Sequence, residues 1–275
     1  MQAKGLSATN PVHWRTLTPF PAVGSGIFIV MNEMITTLQE YGQSLRDLFF
    51  PRRCIACGKV LESGERHLCP DCFDELPLTW FWSWSGNPAE ERMWHLVGIE
   101  RATSLFFYRE GSPYRHITPA IKYKGDISLG TRMGRLLGHH MAQSGRFDDI
   151  DAVVPVPLHP LRRWSRGYNQ AEVIARPIAA ALGEATGREI PVVCDLLRRT
   201  RYTRSQTTLA GEEKRRNLQG AFEADLRTVR RLSDAGVEHL LITDDVLTSG
   251  STLEASTSVL LPYFRVSIAT LGFVP

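Results

Sequence analysis

Two adjacent carboxylates, Asp244 and Asp245, follow a short apolar run and precede a loop of small hydroxyl residues. The run 239–243 predicts a buried strand, so the acidic pair is expected at the edge of a sheet. The loop 248–252 leads into a predicted helix, whose first backbone N–H groups and neighbouring hydroxyls can donate hydrogen bonds to a phosphate. Because like charges repel, the carboxylates suit sugar hydroxyls or a divalent cation instead. This order of residues predicts one site that holds a phosphorylated sugar by its two ends.

A helix cap is the alternative interpretation for part of this loop. Ser251 is followed three residues later by Glu254, which is the spacing of a capping box that any helix can use. That interpretation accounts for Ser251 alone and leaves the acidic pair and the preceding Thr-Ser-Gly unexplained. A Walker phosphate loop is excluded, because no glycine is followed at the required spacing by Gly-Lys-Ser or Gly-Lys-Thr.

Four cysteines form two C-x2-C clips, Cys54 with Cys57 and Cys69 with Cys72, separated by eleven residues. Each clip lets two thiolates of one tight turn face the same point, and together they supply the sulfur shell that Zn²⁺ prefers, at ~2.3 Å per bond. With no open coordination position, such a site is structural. Two disulfides or free core thiols are the alternatives, and a reducing compartment disfavours the disulfides. The fifth cysteine, Cys194, lies in a predicted strand and is expected to be a buried small hydrophobe.

The composition sets limits on the class of protein. The chain has 275 residues, 32 Lys and Arg, 29 Asp and Glu, and 43% hydrophobic residues. This suits one sizeable domain with a small appendage and excludes wholesale disorder. A formal net charge of +3 is too small to indicate a nucleic-acid or membrane partner by itself. No apolar run approaches ~20 residues, so no membrane span is expected, and no secretion signal is recognisable, which favours the cytoplasm.

Strand and helix signals alternate beyond residue 98. The predicted strands are 102–108, 151–156, 192–197, 239–243 and 266–271. The predicted helices are 34–49, 113–123, 129–141, one that begins at about residue 170, and 251–261, with a kink or break at Pro177. The alternation predicts an α/β fold with a mostly parallel sheet flanked by helices. Ligands of such sheets bind at the carboxyl ends of the strands, where the acidic pair is expected.

The chain divides into four predicted segments. Residues 1–30 are expected to be a flexible tail or the product of a mis-assigned start codon. Residues 31–78 would hold the first helix and the four-cysteine zinc module. Residues 79–98 form a Trp-rich connector whose aromatic side chains are expected to pack against a neighbouring element, with a base-stacking platform as the alternative. Residues 99–275 would form the α/β domain.

The stretch Thr243–Thr252 resembles the fingerprint for 5-phosphoribosyl-1-pyrophosphate (PRPP) in type I phosphoribosyltransferases. The resemblance implies that the acidic pair holds the ribose hydroxyls, as the catalytic carboxylates, and that the hydroxyl loop holds the 5′-phosphate. The residues that it assigns to PRPP are Asp244, Asp245, Val246, Leu247, Thr248, Ser249, Gly250, Ser251 and Thr252. It also implies that Mg²⁺ accompanies PRPP.

Further motifs narrow the resemblance to the ComF competence-protein family. They keep one order along the chain: FPRRC at 50–54 with the second cysteine clip, IKYKGD at 121–126, VPVPLH at 154–159, RGYNQ at 166–170, SQ at 205–206 and RRN at 215–217. This resemblance implies a zinc-binding N-terminal module on a type I phosphoribosyltransferase-like domain. It also implies a link to DNA uptake in natural transformation.

A pyrophosphate leaving from PRPP needs nearby cations, and basic residues occur in three places. The loop after residue 156 corresponds in position to the family's pyrophosphate loop. The basic segment 198–216 is long enough to be a functional lid, with a solvated basic face as the alternative. The candidates are Arg163, Arg166, Asn169, Lys122, Lys124, Arg199 and Arg201. For Asn169 a helix cap with Glu172 is an equal alternative, and for the two lysines a solvated surface position is the alternative.

These features support three hypotheses for function, each with a structural zinc ion. The first is a Mg²⁺-dependent phosphoribosyltransferase that acts on an unidentified acceptor. The second is a DNA-handling competence factor, with single-stranded DNA or DNA-uptake proteins as partners. The third is a regulator that senses PRPP, or another phosphorylated ribose, without turnover.

Overall fold

Alternating strands and helices make up the computed structural model, which describes residues 51–200 and 220–275. The strands are β1 (Ala102–Phe107), β2 (Ala152–Pro155), β3 (Leu197–Arg199), β4 (Phe222–Ala224), β5 (His239–Leu247) and β6 (Arg265–Phe273). The helices are α1 (Pro70–Asp74), α2 (Pro88–Trp94), α3 (Ile117–Tyr123), α4 (Ile127–Ser144), α5 (Pro160–Arg166), α6 (Gln170–Thr186), α7 (Leu226–Asp234) and α8 (Ser251–Ser258). The predicted tail 1–30, the predicted helix 34–49, Arg201 and most of the predicted lid 198–216 lie outside the described residues.

Four of the described strands form a parallel sheet in the order β1-β6-β5-β2. The central strands β5 and β6 are buried along most of their length, which explains their apolar runs. Strands β3 and β4 form a separate antiparallel pair. The architecture confirms the predicted mostly parallel sheet flanked by helices.

Helices cover both faces of this sheet. On one face α4 and α6 pack through Met133 and Ile174 in the same core as Leu241 of β5. On the other face α2, α7 and α8 pack in a second core, where Leu253 of α8 joins Ile242 of β5. Successive strand residues point to opposite faces, so these neighbours in β5 belong to different cores.

Glycines allow α4 and α6 to approach closely. Gly130, Gly134 and Gly138 recur every fourth residue and therefore lie on one side of α4. A Cβ on Gly134 would lie 2.7 Å from Cγ of Pro177 and 2.8 Å from the carbonyl oxygen of Ile174, both on α6. Helix α6 runs through Pro177 without interruption. Of the predicted kink or break, the break does not occur, because packing against α4 stabilises the turn that the missing proline N–H weakens; a kink stays a prediction.

The chain between residues 191 and 200 departs from the predicted strand. Val192 makes a single parallel bridge, to Val153, and β3 begins only at Leu197. Between these points the chain leaves the main sheet to form the antiparallel pair with β4. Cys194 lies on this turn and is exposed, so the prediction of a buried hydrophobe is wrong.

The connector 79–98 contains a 3₁₀ turn, Phe81–Ser83, and helix α2. Trp82 is buried and stacks on His140 of α4, with ring centroids 4.5 Å apart. Trp80, Trp84 and Trp94 are exposed, at 56%, 44% and 44%. The expected packing against a neighbouring element is therefore confirmed for Trp82, whereas the other three tryptophan side chains are only partly packed.

Candidate functional site

The acidic pair lies in β5 beyond the point where β2 stops pairing with it. The last register pair of these two strands is Pro155 with Thr243, whereas β5 continues beside β6 to Leu247. The prediction that the strand ends at residue 243 is wrong, because β6 offers backbone partners further along. Asp244 and Asp245 therefore lie within the strand, at a stretch where no strand of residues 51–200 or 220–275 pairs with its β2 side.

This open edge is a topological switch point. The chain leaving β2 passes through the short helix α5 to α6 on one face of the sheet, and the chain leaving β5 enters α8 on the other face. Neighbouring strands whose connections leave in opposite directions open a crevice between their carboxyl ends, where open α/β sheets bind ligands. The acidic pair borders this crevice.

Lys122, in the last turn of α3, contacts the carboxylate of Asp245 with its ammonium group. Asp245 is 4% exposed, so this ion pair is largely shielded from water. Burial raises the pKa of Asp244 to about 8; the charge of Asp245 acts in the same direction and that of Lys122 opposes both. Asp244 also accepts a hydrogen bond from the Asp245 N–H at 2.9 Å. Paired carboxyl oxygens are ligands that Mg²⁺ takes in proteins, so these residues fit a divalent cation.

Asp244→Asn is expected to stabilise the ligand-free protein at pH 8. A carboxyl whose pKa is higher in the folded state than its ordinary 3.8 costs stability as the pH rises from about 4 to about 8. An amide does not ionise, so we expect a gain of about 1–2 kcal/mol at pH 8 and none near pH 4. Urea unfolding at both pH values in metal-free buffer measures it. Glu238→Gln, just before β5, is the control, and a gain that is equal at both pH values would contradict the expectation.

The loop 248–252 forms the N-terminus of α8. Gly250, with φ +80, is the N-cap, and as a glycine it supplies no side chain to cap the helix. Ser251 is already the first helical residue and is buried, so the capping-box alternative is wrong. Its hydroxyl oxygen lies 3.0 Å from that of Ser249. Backbone N–H groups of a first helical turn point out of the helix end, and with these hydroxyls they make an arrangement suited to a phosphate.

Arg92 of α2 anchors this loop, and sequence reasoning missed it. Its Nη1 donates to the carbonyl oxygen of Thr248 at 2.8 Å and to that of Val274 at 2.5 Å. Its guanidinium also lies 4.3 Å from the ring centroid of Phe273. No local pattern signals this role, since Arg92 and Thr248 are 156 positions apart in the chain.

The structure brings two of the predicted cations near the acidic pair. Lys122 is the first, through its contact with Asp245. Arg199 on β3 is the second: burial lowers the pKa of its guanidinium, the charge of Arg162 acts in the same direction, and the charge of Asp244 opposes them. The charges of Arg162 and Asp244 therefore both act on the Arg199 guanidinium, in opposite directions.

Asn169 is the N-cap of α6. Its side-chain oxygen accepts a hydrogen bond from the Ala171 N–H at 3.2 Å, and its side-chain nitrogen donates to the Val156 carbonyl at 3.1 Å. The cap that the sequence offered as an alternative is therefore formed, and it ties the start of α6 to the chain leaving β2. A direct contact of Asn169 with a ligand stays a prediction.

The basic segment after β2, expected to be a loop, contains the short helix α5, which buries none of its residues. Arg163 is exposed on this helix. Arg166 donates to Gln170 Oε1 at 3.1 Å, and its guanidinium lies 5.0 Å from the ring centroid of Tyr123. The two remaining candidates are Lys124, which is exposed just after α3, and Arg201, outside the described residues.

The four clip cysteines converge on one point. The sulfurs of Cys54, Cys57, Cys69 and Cys72 all lie within 4.8 Å of one another. A tetrahedron with ~2.3 Å zinc–sulfur bonds has sulfurs about 3.8 Å apart, and the sulfurs of Cys57 and Cys69 are 3.8 Å apart. Burial works against ionisation of Cys54, but backbone hydrogen bonds from Cys57, Cys69 and Ala56 lower its pKa to about 6. All five cysteines are free, and the cluster fits zinc, which requires thiolates.

The cysteine module shares its core with the sheet. Cys69 and Cys72 belong to the same buried cluster as the inward faces of α4 and α6. His67, between the clips, places its Nε2 2.8 Å from Ser128 Oγ and 3.2 Å from Asp126 Oδ1, at the start of α4. Loss of the metal would therefore disturb the α/β core as well as the module.

Comparison with known proteins supports the four-cysteine zinc module and shows the family of the chain. Residues 45–80, which include all four clip cysteines, match the Double zinc ribbon domain family. The chain is 25% identical over 222 residues to competence protein F of Haemophilus influenzae, covering 77% of this chain and 92% of that protein. It is 30% identical over 211 residues to the DNA utilization protein YhgH of Salmonella typhimurium, covering 76% of this chain and 83% of that protein. The chain belongs to the ComF competence-protein family.

This assignment confirms the resemblance indicated by the ordered ComF motifs. Another ComF relative, the DNA utilization protein YhgH of Escherichia coli strain K12, is 27% identical over 211 residues. The cysteine geometry and the zinc-ribbon match together support a structural zinc centre in this ComF protein. Within residues 51–200 and 220–275, every helix is too short or too polar to cross a bilayer.

Proposed function

We propose that this ComF-family protein binds PRPP, or another phosphorylated ribose, together with Mg²⁺ in the crevice between β2 and β5. The observation that carries the proposal is one continuous unit, in which the acidic pair of β5 is followed by the open N-terminus of α8. The carboxylates suit ribose hydroxyls and a cation, and the helix terminus suits a phosphate. The two ends cannot exchange roles, because a carboxylate repels a phosphate.

Basic side chains around the crevice support a pyrophosphate at the other end of the ligand. Lys122 contacts the acidic pair, and Arg199 lies within electrostatic reach of it, close to Arg162. When bound, Mg²⁺ would neutralise part of the pyrophosphate charge. Cations that meet charge developing on a leaving group lower the barrier to its departure.

Transfer would break the bond between ribose C1 and the pyrophosphate oxygen and form a bond from C1 to an acceptor nucleophile. The ribose is cationic and loosely bonded at the transition state, so the protein has to stabilise the leaving pyrophosphate and exclude water. Most of the predicted lid, 198–216, lies outside the described residues. Binding without transfer would make the same site a sensor of PRPP.

We further propose that the protein, with its phosphorylated ribose ligand bound, acts in DNA uptake or DNA utilization within the cytoplasm. The support is that its relatives are named competence protein F and DNA utilization protein. On this chain, α5 presents Trp164, 87% exposed, beside Arg163. An exposed aromatic side chain and a neighbouring cation on one helix suit single-stranded DNA. Its bases can stack on the aromatic ring, and its phosphates can pair with the cation. DNA-uptake proteins are the other proposed partners.

Isothermal titration calorimetry with PRPP and Mg²⁺ tests the binding proposal. The wild-type protein is expected to bind, and Asp244→Asn/Asp245→Asn is expected to lose at least about 100-fold in affinity. Two charge-assisted interactions of about 1.5–3 kcal/mol each disappear in the double variant. Glu238→Gln removes a carboxylate just before the same strand, at its opposite end, and is expected to bind like the wild type.

No heat with the wild-type protein would overturn the proposal, and so would equal affinities of the wild type and the double variant. Circular dichroism of each variant checks that the fold is intact. Pyrophosphate release, measured with nucleobase and amine acceptors, then separates a phosphoribosyltransferase from a PRPP sensor.

A further inference from the structure

The ligand-free crevice already contains a cation. The Lys122 ammonium lies against the carboxylate of Asp245, and the two side chains are 27% and 5% exposed. Asp244 is close enough for its charge to act on both groups. The ammonium therefore occupies the place beside the carboxyl pair that a divalent cation would need.

Charge balance makes this contact more than a surface ion pair. The two carboxyl groups carry at most two negative charges, and Lys122 compensates one of them. A divalent cation added beside the ammonium would be repelled strongly, because charges inside a protein are weakly screened. The site therefore has little need of a metal ion while Lys122 stays in place.

We infer that Lys122 is a tethered cation that holds the carboxyl pair in the ligand-free protein and gives way to a divalent cation when a phosphorylated ligand arrives. This inference rests on the proposed function. The metal ion then enters together with the ligand and does not bind alone. When the ligand is PRPP, Lys122 moves from Asp245 to the pyrophosphate. The carboxyl pair then has the divalent cation as its partner, and the pyrophosphate has Lys122.

The local structure allows this movement to take place in the side chain alone. The Tyr168 hydroxyl donates a hydrogen bond to the carbonyl oxygen of Ile121, which anchors the last turn of α3. The four-carbon stem of Lys122 can rotate on this fixed backbone. Its partial exposure gives the ammonium a route towards the mouth of the crevice.

Mn²⁺ binding to the ligand-free, zinc-loaded protein tests the inference, with free Mn²⁺ measured by electron paramagnetic resonance. Lys122→Gln is expected to bind Mn²⁺ at least about tenfold more tightly than the wild type, because the competing charge is gone. Lys122→Arg keeps the charge and is expected to bind like the wild type. Adding Asp245→Asn to Lys122→Gln is expected to remove the gain in Mn²⁺ affinity. This result would show that the Mn²⁺ ion binds at the carboxyl pair.

Arg115→Gln is the charge-matched control, since it removes an exposed cation from a 3₁₀ turn, Pro113–His116, that precedes α3. If Arg115→Gln gained as much Mn²⁺ affinity as Lys122→Gln, the inference would be overturned. Equal Mn²⁺ affinities of the wild type and Lys122→Gln would also overturn it. If circular dichroism shows that the Gln variant is unfolded, Lys122→Met, which keeps most of the stem, takes its place with the same expectations.

PRPP titrations of the same proteins keep the two proposals apart. If the wild type does not bind PRPP while Lys122→Gln gains Mn²⁺ affinity, the proposed function fails and the role of Lys122 as a competing cation stands. If the wild type binds PRPP and Lys122→Gln gains nothing, the inference about Lys122 fails alone.

Discussion

Replacing Cys72 by serine is expected to destabilise the whole described fold, well beyond the zinc ribbon. Cys72 is buried in the same core as α4 and α6, so the metal centre and the sheet share their apolar contacts. Zinc binding contributes about 10–16 kcal/mol in small zinc-dependent folds, as much as the total stability of many domains. We expect the melting temperature to fall by more than ~10 °C. Zinc content and thermal unfolding, followed by circular dichroism, measure the effect.

Cys194→Ser is the matched control for this experiment. Cys194 is exposed and lies outside the metal cluster. Its replacement is expected to change stability by no more than about 0.5 kcal/mol and to leave the zinc content unchanged. A Cys72→Ser protein that loses zinc but keeps the wild-type melting temperature would show that the module is independent of the sheet.

Gly134→Ala is expected to cost about 2–4 kcal/mol of unfolding free energy, although alanine is the better helix former by about 1 kcal/mol. The added Cβ would lie 2.8 Å from the carbonyl oxygen and 3.2 Å from the Cα of Ile174. These are backbone atoms of α6, which cannot rotate away, so the two helices have to separate. Urea unfolding measures the loss.

Gly111→Ala provides the comparison for this substitution. A Cβ on Gly111 would meet no heavy atom within 4 Å. The expected change there is within about 0.5 kcal/mol. Similar values for the two alanine variants would show that α4 and α6 do not depend on the close approach.

The features that were predictable from the sequence are motifs whose functional residues lie within a few positions of one another in the chain. The two C-x2-C clips predict a zinc site because each clip places two sulfurs on one turn. The apolar run before Asp244 predicts a strand, and Gly250 and Ser251 predict the helix start that follows. The order of such units along the chain was also enough to predict a mostly parallel sheet.

The end of β5 is set by its neighbouring strand β6 and not by the residues of β5 itself. Polar residues usually end a buried strand, which is why the prediction stopped before Asp244. In the structure β6 continues to pair as far as Leu247, and this keeps the carboxylates in the strand. Helix α6 likewise continues through Pro177 because a glycine of α4 leaves room for the ring.

Local spacing along the chain thus specified the zinc centre, the acidic pair and the hydroxyl loop, because their members are covalent near-neighbours. Tertiary contacts decided which cation meets the carboxylates and what anchors the loop. Lys122 meets Asp245, and Arg92 meets Thr248, through folded contacts between distant segments. The sequence around a basic residue does not show whether its side chain lies on a solvated surface or in a crevice. Its partner becomes known only when the fold brings the two side chains together.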